Sequence, residues 1–264
     1  MNILIMTDIE GITGVDFWEQ VHKHDWEGEE LARERLMADT NAAVEGAFRA
    51  GADKVYVVDG HGGGANFKKE LLDPRATQIS VLEYCDLYTR EKIDACLEVG
   101  VHAKPGTLNA FLEHVQSSAN WFSYKVNGKD YGEIAQGALY AGAFDVPLVM
   151  VSGDRATCNE AKETIGENVA VALVKEGIDW KHAESIDFKE AEKRICDAVE
   201  DGIRRRDEIK PLKVSLPITI DVTFLRADIC DEFHKKYPNL ERIDSRTLRR
   251  VSNEIKDYRD ILLY

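Results

Sequence analysis

Short apolar runs alternate with segments of helical periodicity along the first part of the chain. Residues 2–6, 55–58 and 95–101 are apolar runs of strand length, and residues 28–50 carry apolar side chains at helical spacing between the first two runs. Strands joined through a helix lie parallel in one sheet, nearly always with a right-handed connection. The pattern therefore predicts an α/β fold, with an open, mostly parallel, Rossmann-like sheet flanked by helices.

A hairpin and further helices and strands follow. Residues 121–126 lead into Asn127-Gly128, which favours a β-hairpin, and residues 134–142 form an alanine-rich segment typical of a helix. The remaining predicted elements are strands at residues 76–82, 146–151 and 169–174, a helix at 187–204, a strand-rich segment at 210–225, and helices at 228–236 and 247–263. We expect an α/β domain over residues 1–185 and a smaller α+β domain over residues 186–264.

Composition and charge limit the class of protein. The chain has 264 residues, of which 44% are hydrophobic, and this is enough for an ordinary globular core. The formal net charge of -14 and the lack of a dense basic patch argue against a nucleic-acid or anionic-membrane partner. No apolar run is long enough to span a membrane, and Met1 leads directly into a strand. We therefore expect a soluble, cytoplasmic protein.

The cysteines are odd in number and dispersed, and none belongs to a C-x-x-C pair. They are Cys85, Cys96, Cys158, Cys196 and Cys230. Such a set argues against a disulfide framework or a zinc ribbon and favours buried free thiols. A bound metal ion would therefore use histidine and carboxylate ligands.

Two carboxylates, Asp8 and Glu10, follow the first predicted strand. Residues i and i+2 of an extended chain lie on the same face, so these two side chains can point the same way and suit a divalent metal ion. The alternative is that Asp8 ends the strand and caps a turn while Glu10 is solvated. The pair alone favours this alternative.

Histidines follow the next two predicted strands. His61 comes shortly after residues 55–58, and His102 comes directly after residues 95–101. Ligand sites of open α/β sheets lie outside the carboxyl ends of the strands. Because Asp8, Glu10 and both histidines satisfy this rule, the sequence predicts a metal site at this edge of the sheet.

Other candidate residues are ambiguous when taken singly. His114 is more often a surface residue in such a segment than a catalyst, and Glu133 could simply compensate a helix dipole. His22 and His24 are predicted to lie in a surface loop. The glycines at residues 62–64 lack the spacing of a nucleotide-binding loop, and they also allow the chain to approach a metal closely.

A set of short motifs runs in order through residues 1–155. The motifs are Thr7-Asp8-Ile9-Glu10-Gly11, Asp59-Gly60-His61, Gly100-Val101-His102-Ala103, the segment around His114, and Asn127-Gly128 followed by Gly132-Glu133. Together they resemble the zinc D-aminopeptidases found with bacterial dipeptide-transport operons. As a set, the motifs are specific for that family.

The resemblance implies a metal-binding catalytic domain within residues 1–185 that holds two zinc ions per subunit. It implies that His114 is the catalytic residue, as nucleophile or as acid–base group. Family members are self-compartmentalising homo-oligomers, commonly decamers. The implied metal ligands are Asp8, which would bridge the two ions, Glu10, His61, His102 and Glu133.

The predicted function is that of a metallo-aminopeptidase, which removes the N-terminal residue of short peptides or amino-acid amides. The preference for D-amino acids is implied by the resemblance alone. Two divalent ions suit this reaction because they polarise a carbonyl and activate water. Two alternatives stay open at this point: a metal-dependent phosphoesterase or other amidohydrolase, and a non-catalytic metabolite-binding protein that keeps the fold.

Overall fold

Strands and helices alternate through the first part of the chain in a computed structural model, which describes residues 1–22 and 27–264. The prediction for His24 lies outside the described residues. The strands are β1 (Asn2–Thr7), β2 (Lys54–Asp59), β3 (Ala76–Ile79), β4 (Ala95–Val99), β5 (Trp121–Val126), β6 (Lys129–Tyr131), β7 (Leu148–Asp154), β8 (Ala170–Asp179), β9 (His182–Ser185), β10 (Ile218–Phe224), β11 (Glu241–Arg242) and β12 (Thr247–Ser252). The α-helices are α1 (Glu19–His22), α2 (Glu27–Arg49), α3 (Val81–Cys85), α4 (Leu87–Arg90), α5 (Glu133–Ala143), α6 (Arg155–Ile165), α7 (Phe188–Arg204) and α8 (Ala227–Lys236). Short 3₁₀ helices cover His61–Gly63, Lys69–Leu71, Arg206–Glu208 and Tyr258–Ile261.

The main sheet of the described residues has seven strands in the order β3-β2-β1-β4-β7-β8-β9, and only β9 runs antiparallel to its neighbour. Every residue of β4 and β7 is buried, because helices or a second layer cover both faces of the sheet. Ile3 and Ile5 of β1 share a core with Leu36 of α2 and Ile195 of α7, whereas Leu4 faces the opposite core. The predicted fold class is confirmed.

The register of the central strands brings their carboxyl ends together. Thr7, the last residue of β1, is aligned with Asp59 of β2 on one side and with Val99 of β4 on the other. The N–H of Asp8 then donates to the carbonyl of Val99 at 2.9 Å. The residues that follow β1, β2 and β4 therefore lie next to one another at one edge of the sheet.

A second sheet is antiparallel and has the strand order β11-β12-β10-β5-β6. The predicted hairpin is confirmed as β5 and β6, and its partner is β10 from the C-terminal part of the chain. The buried residues of β10 alternate along the strand, and Ile220 and Val222 share an apolar core with Ala138 of α5 and Leu4 of β1. This core joins the second sheet to one face of the main sheet.

The prediction of a helix over residues 247–263 is wrong, because this segment forms β12 and a 3₁₀ helix. Leu248 is fully buried, and Arg249 lies opposite Asp221 of β10, with Nε 2.6 Å from Oδ1. Charged residues that suggest a helix in isolation are here cross-strand partners. The strand predicted over residues 210–225 also starts later than expected, since Leu216 lies ahead of β10 and is 54% exposed.

The division at residue 185 stays a prediction. Helix α7, which follows this point, packs against α2 and β8 of the main sheet. Strands β10 to β12, also beyond it, build the second sheet with the β5–β6 hairpin.

The structure also shows the state of the cysteines and the character of the helices. All five cysteines lie among the described residues, and all are buried and free, as predicted. Within the described residues, no helix combines the length and the apolar character needed to cross a membrane.

Candidate active site

The carboxylates of Asp8 and Glu10 lie at the edge of the main sheet, directly after β1. Asp8 Oδ1 accepts a hydrogen bond from the N–H of Ile9 at 2.8 Å, and Glu10 is only 2% exposed. The loop can pack this closely on the end of β4 because Gly11 has no side chain: a Cβ there would lie 2.1 Å from the carbonyl oxygen of Val101. The backbone therefore holds both acids at the strand end.

His61 reaches the two acids from the end of β2. Its Nδ1 lies 3.0 Å from Asp8 Oδ1 and 3.0 Å from Glu10 Oε2. The three glycines after it, at residues 62–64, have φ values of 56°, 88° and 86°, in the left-handed region that favours glycine. The triple glycine thus turns the chain away immediately after the histidine.

His102 and Glu133 close the other side of the cluster. His102 follows β4 and is 1% exposed, and Glu133 is the first residue of α5. His102 Nε2 lies 3.3 Å from Glu133 Oε1 and 3.4 Å from Asp8 Oδ2. The N–H of Gln116 donates to Glu133 Oε1 at 2.7 Å and fixes that carboxylate.

The hydrogen bonding of His102 determines which of its two ring nitrogens is directed at the carboxylates. Nδ1 lies 3.1 Å from the carbonyl oxygen of Ala103, which can only accept, so Nδ1 carries the proton of the neutral ring. Nε2 is buried and has no hydrogen-bond partner within residues 1–22 and 27–264. Burial opposes a proton on this ring, but Glu133 and Asp8 outweigh burial and raise the pKa of His102. Nε2 therefore needs a cation between it and the two carboxylates, either a proton or a metal ion.

His114 stacks on the same histidine. The rings of His102 and His114 are 3.9 Å apart between centroids and inclined by 10°. His114 Nδ1 lies 2.7 Å from the carbonyl oxygen of Leu112, so Nδ1 donates and Nε2 faces Glu10, 4.0 Å from Oε1. The structure thus brings His114 to the cluster through an irregular loop, in which Leu112 and Gln116 have φ values of 50° and 57°.

All six residues singled out from the sequence converge in one place. They form three overlapping sets, and within each set the potential ligand atoms lie within 4.8 Å of one another. Asp8, Glu10 and His102 each belong to two of these sets. The sets are Asp8, Glu10 and His61; Asp8, His102 and Glu133; and Glu10, His102 and His114.

The pKa values reflect a buried, strongly coupled cluster. Burial and the neighbouring Glu10 raise the pKa of Asp8 to about 7. Burial opposes the ionisation of Glu10, but the histidines, with His61 first, outweigh it and hold the pKa of Glu10 well below its usual value. Burial also opposes protonation of His61, yet the carboxylates of Glu10 and Asp8 raise its pKa. Without another cation, the carboxylates draw protons onto the histidines.

His114 behaves differently from the other two histidines. Burial and the adjacent His102 both lower its pKa, more than Glu10 and Glu133 raise it. The ring is therefore neutral near pH 7, with an unprotonated Nε2 facing the cluster.

Sequence reasoning missed Lys175, a fully buried lysine on β8. Its Nζ donates to the carbonyl oxygen of Glu10 at 2.8 Å and also to that of Val15. Burial lowers the pKa of Lys175 to about 8. The available signal was a lysine directly after the apolar run at residues 169–174. Lys175 holds the loop that carries Glu10.

Asp154 anchors the loop that carries His114. It caps α6 by accepting a hydrogen bond from the N–H of Thr157 at 2.8 Å. Its second oxygen accepts from the N–H of Phe111 at 2.9 Å. The cap was predictable from the sequence, but its contact with the loop was not.

Buried carboxylates and histidines that converge at the strand ends of an α/β sheet form a hydrolytic type of site. The D-aminopeptidase family, peptidase family M55, matches residues 1–263, and the chain belongs to this family. It is therefore a peptidase, and this result favours the aminopeptidase prediction over a phosphoesterase or a non-catalytic binding protein.

Two known proteins are similar to this chain. A D-aminopeptidase of Bacillus subtilis (strain 168) is 28% identical over 221 residues, which are 80% of this chain and 77% of that protein. The fold matches the solved structure of a Zn-dependent D-aminopeptidase, DppA from Bacillus subtilis, which is described as a self-compartmentalizing protease. That match has a TM-score of 0.90 at 24% identity and covers 100% of this chain and 96% of the other.

Proposed function

We propose that this D-aminopeptidase is zinc-dependent and removes the N-terminal D-residue of short peptides or amino-acid amides. We propose two zinc ions per subunit. The ligands would be Asp8, shared by both ions, Glu10, His61, His102 and Glu133.

The observation that carries this proposal is the orientation of His102. Its buried Nε2 lies 3.4 Å from Asp8 Oδ2 and 3.3 Å from Glu133 Oε1, without a hydrogen-bond partner in the described part of the chain. A zinc ion at this position would take the place of a proton and give each of the three side chains its partner. Imidazole and carboxylate donors suit zinc, and the similar DppA structure is of a Zn-dependent enzyme.

The orientation of the two oxygens of Asp8 supports a second ion. Its Oδ1 lies on the His61 side and its Oδ2 on the His102 side. A carboxylate with one oxygen on each side suits a bridging role between two cations. His61 and Glu10 would complete the first position, and His102 and Glu133 the second.

The residues around this centre suit amide hydrolysis. When bound, the ions supply Lewis acidity toward the scissile carbonyl. His114 presents an unprotonated Nε2 to the cluster, so it can attack the carbonyl as a nucleophile, or take a proton from the attacking water and pass that proton to the leaving amine. Lys175 holds the Glu10 loop, and Gln116 holds Glu133, so the carboxylates keep their orientation during the reaction.

An open cavity gives the substrate access to the cluster. It has a volume of ≈ 250 Å³ and is lined by Asp8, Glu10, His61, His114 and Glu133, together with backbone and small residues of the adjoining loops. This size suits a short peptide or an amino-acid amide.

We also propose a homo-oligomer, with a decamer as the size implied by the family resemblance. DppA is described as self-compartmentalizing. Light scattering on the purified chain tests this: a monomer at micromolar concentration would contradict it. The cytoplasmic location inferred from the sequence stays a prediction.

Hydrolysis of p-nitroanilides tests the proposed activity. The protein loaded with zinc should release nitroaniline from D-alanine p-nitroanilide and much less from the L-enantiomer. Dialysis against a chelator should abolish turnover, and zinc should restore it. Turnover of nitrophenyl phosphate with none of the D-anilide, or equal activity with and without zinc, would contradict the proposal.

A further inference from the structure

A small cavity extends from the proposed metal ligands into the protein. Its volume is ≈ 80 Å³, and it shares Asp8, Gly60, Gln116 and Glu133 with the open cavity that leads to solvent. The two cavities therefore adjoin each other at the proposed metal ligands. A substrate bound at the cluster could place one side chain in the inner cavity.

An unpaired acid, Glu98, lines this inner cavity. It lies on β4 and is 5% exposed, and its Oε2 is buried with no hydrogen-bond partner within residues 1–22 and 27–264. A glycine makes room for it: a Cβ on Gly137 would lie 2.0 Å from Glu98 Oε1. A buried carboxylate without a partner is unfavourable, so a ligand cation is the natural partner for it.

Helix geometry gives the depth of this acid below the metal ligands. Gly137, which touches Glu98, follows Glu133 by four residues on α5, so the two positions lie on one face of the helix, about 6 Å apart along its axis. The α-ammonium of a substrate is next to the scissile carbonyl and would stay at the level of Glu133. A side-chain ammonium, several bonds further along, can reach Glu98.

The other walls of the cavity suit the methylene groups of such a side chain. Met6, Val81 and Val101 provide apolar surface, and Tyr84 and Tyr258 provide aromatic rings. Apolar walls with one charged group at depth select a long side chain with a terminal charge, and aromatic rings stabilise cations.

We propose that the inner cavity binds the side chain of the N-terminal residue of the substrate, and that Glu98 makes it selective for a terminal ammonium, as in D-lysine or D-ornithine. This inference rests on the proposed D-aminopeptidase function. It goes further because it names the substrate class and the residue that selects it.

Paired substrates of similar shape but different charge test the proposal. The probes are the p-nitroanilides of D-lysine and D-norleucine, and the readout is the ratio of their kcat/KM values with the full-length, zinc-loaded enzyme. We expect the wild type to favour D-lysine by about tenfold or more, and Glu98→Gln to bring the ratio close to unity. Glu98→Met should reverse the preference.

A second buried acid provides the matched control. Glu160 is 4% exposed, and its Oε1 is buried without a hydrogen-bond partner within the described ranges, but it does not line the inner cavity. Glu160→Gln should leave the ratio of the two substrates as in the wild type. Zinc content and thermal unfolding of each variant show that it is folded and loaded.

Each contrary result has its own meaning. An equal loss with both substrates in Glu98→Gln would assign Glu98 to the α-ammonium and overturn the side-chain assignment. A wild-type ratio near unity, or a ratio that Glu98→Gln does not change, would also overturn it.

A binding measurement separates this inference from the proposed function. If the wild type hydrolyses no D-anilide, the proposed function fails. Calorimetric titration with D-lysine amide and D-norleucine amide then still tests Glu98, because selective binding of the lysine amide should disappear in Glu98→Gln. Equal binding of both amides by the wild type would overturn the inference about Glu98, whatever the outcome for the proposed function.

Discussion

The rings of His102 and His114 stack face to face, with centroids 3.9 Å apart, and both donate from Nδ1 to a backbone carbonyl. Both Nε2 atoms are therefore free to face the carboxylate cluster. His102 points at Asp8 and Glu133, whereas His114 points at Glu10 from 4.0 Å. Two histidines in similar orientation thus stand beside the same centre, and we assign them different roles.

His114→Ala should lower kcat by about 100-fold or more while leaving both zinc ions bound, because we assign His114 to the reaction and not to the metal. Turnover of D-alanine p-nitroanilide and the zinc content by mass spectrometry measure the two effects. His182→Ala is the control, since His182 is half exposed and pairs with Asp179. Loss of zinc from His114→Ala would make His114 a ligand.

Replacement of Asp8 and replacement of His61 should remove different numbers of zinc ions. Because Asp8 belongs to both ligand sets around His61 and His102, Asp8→Ala should lose both zinc ions. His61 belongs to one set, so His61→Ala should retain one ion per subunit. Metal analysis after gel filtration measures the stoichiometry. One ion retained in Asp8→Ala, or two in His61→Ala, would contradict the bridging arrangement.

Lys175→Met should weaken zinc binding by about 10- to 100-fold, because it removes the donor that holds the Glu10 loop. Competition with a chromophoric chelator measures the affinity. Lys162→Met, a change of a lysine with 41% side-chain exposure, is the control. If Lys175→Met lowers the thermal stability but keeps the zinc affinity of the wild type, Lys175 has only a structural role.

The pH dependence of stability should report on Asp39, a fully buried acid. Its Oδ2 accepts hydrogen bonds from Thr13 N–H and Oγ1–H, both at 2.8 Å, and burial raises its pKa from 3.8 to about 6. Between these two pKa values the folded state binds more protons than the unfolded state, so the free energy of unfolding falls as pH rises through this window.

Asp39→Asn removes this titration. As the pH rises from about 4.5 to about 7, the free energy of unfolding of the variant minus that of the wild type should increase by about 2 kcal/mol. Urea unfolding of the metal-free proteins at both pH values measures this difference. Asp207→Asn, with a side chain 85% exposed, is the control. A difference between Asp39→Asn and wild type that is the same at both pH values would show that Asp39 ionises normally.

The local pattern of apolar residues was sufficient to predict the strands of the main sheet. These strands are buried on both faces, so each one is a continuous apolar run in the sequence. The same reasoning failed at residues 247–263, where the strand β12 exists only because β10 lies beside it. Arg249 and Asp221 are 28 residues apart, so no local window contains both members of the pair. The prediction of a helix there followed composition, and tertiary pairing decided otherwise.

The sequence by itself determined where the first strands lie along the chain and placed Asp8, Glu10, His61 and His102 after their carboxyl ends, which parallel strands bring to one edge of a sheet. Only the tertiary structure decided the positions of His114, Lys175 and Glu98. His114 lies on an irregular loop anchored by Asp154. Lys175 is 165 residues from Glu10 in the sequence and donates to its carbonyl oxygen. Glu98 has room for its side chain only because Gly137 has none. Such contacts join segments that are distant in the sequence, and close packing between them leaves no periodic pattern of residues from which they could be predicted.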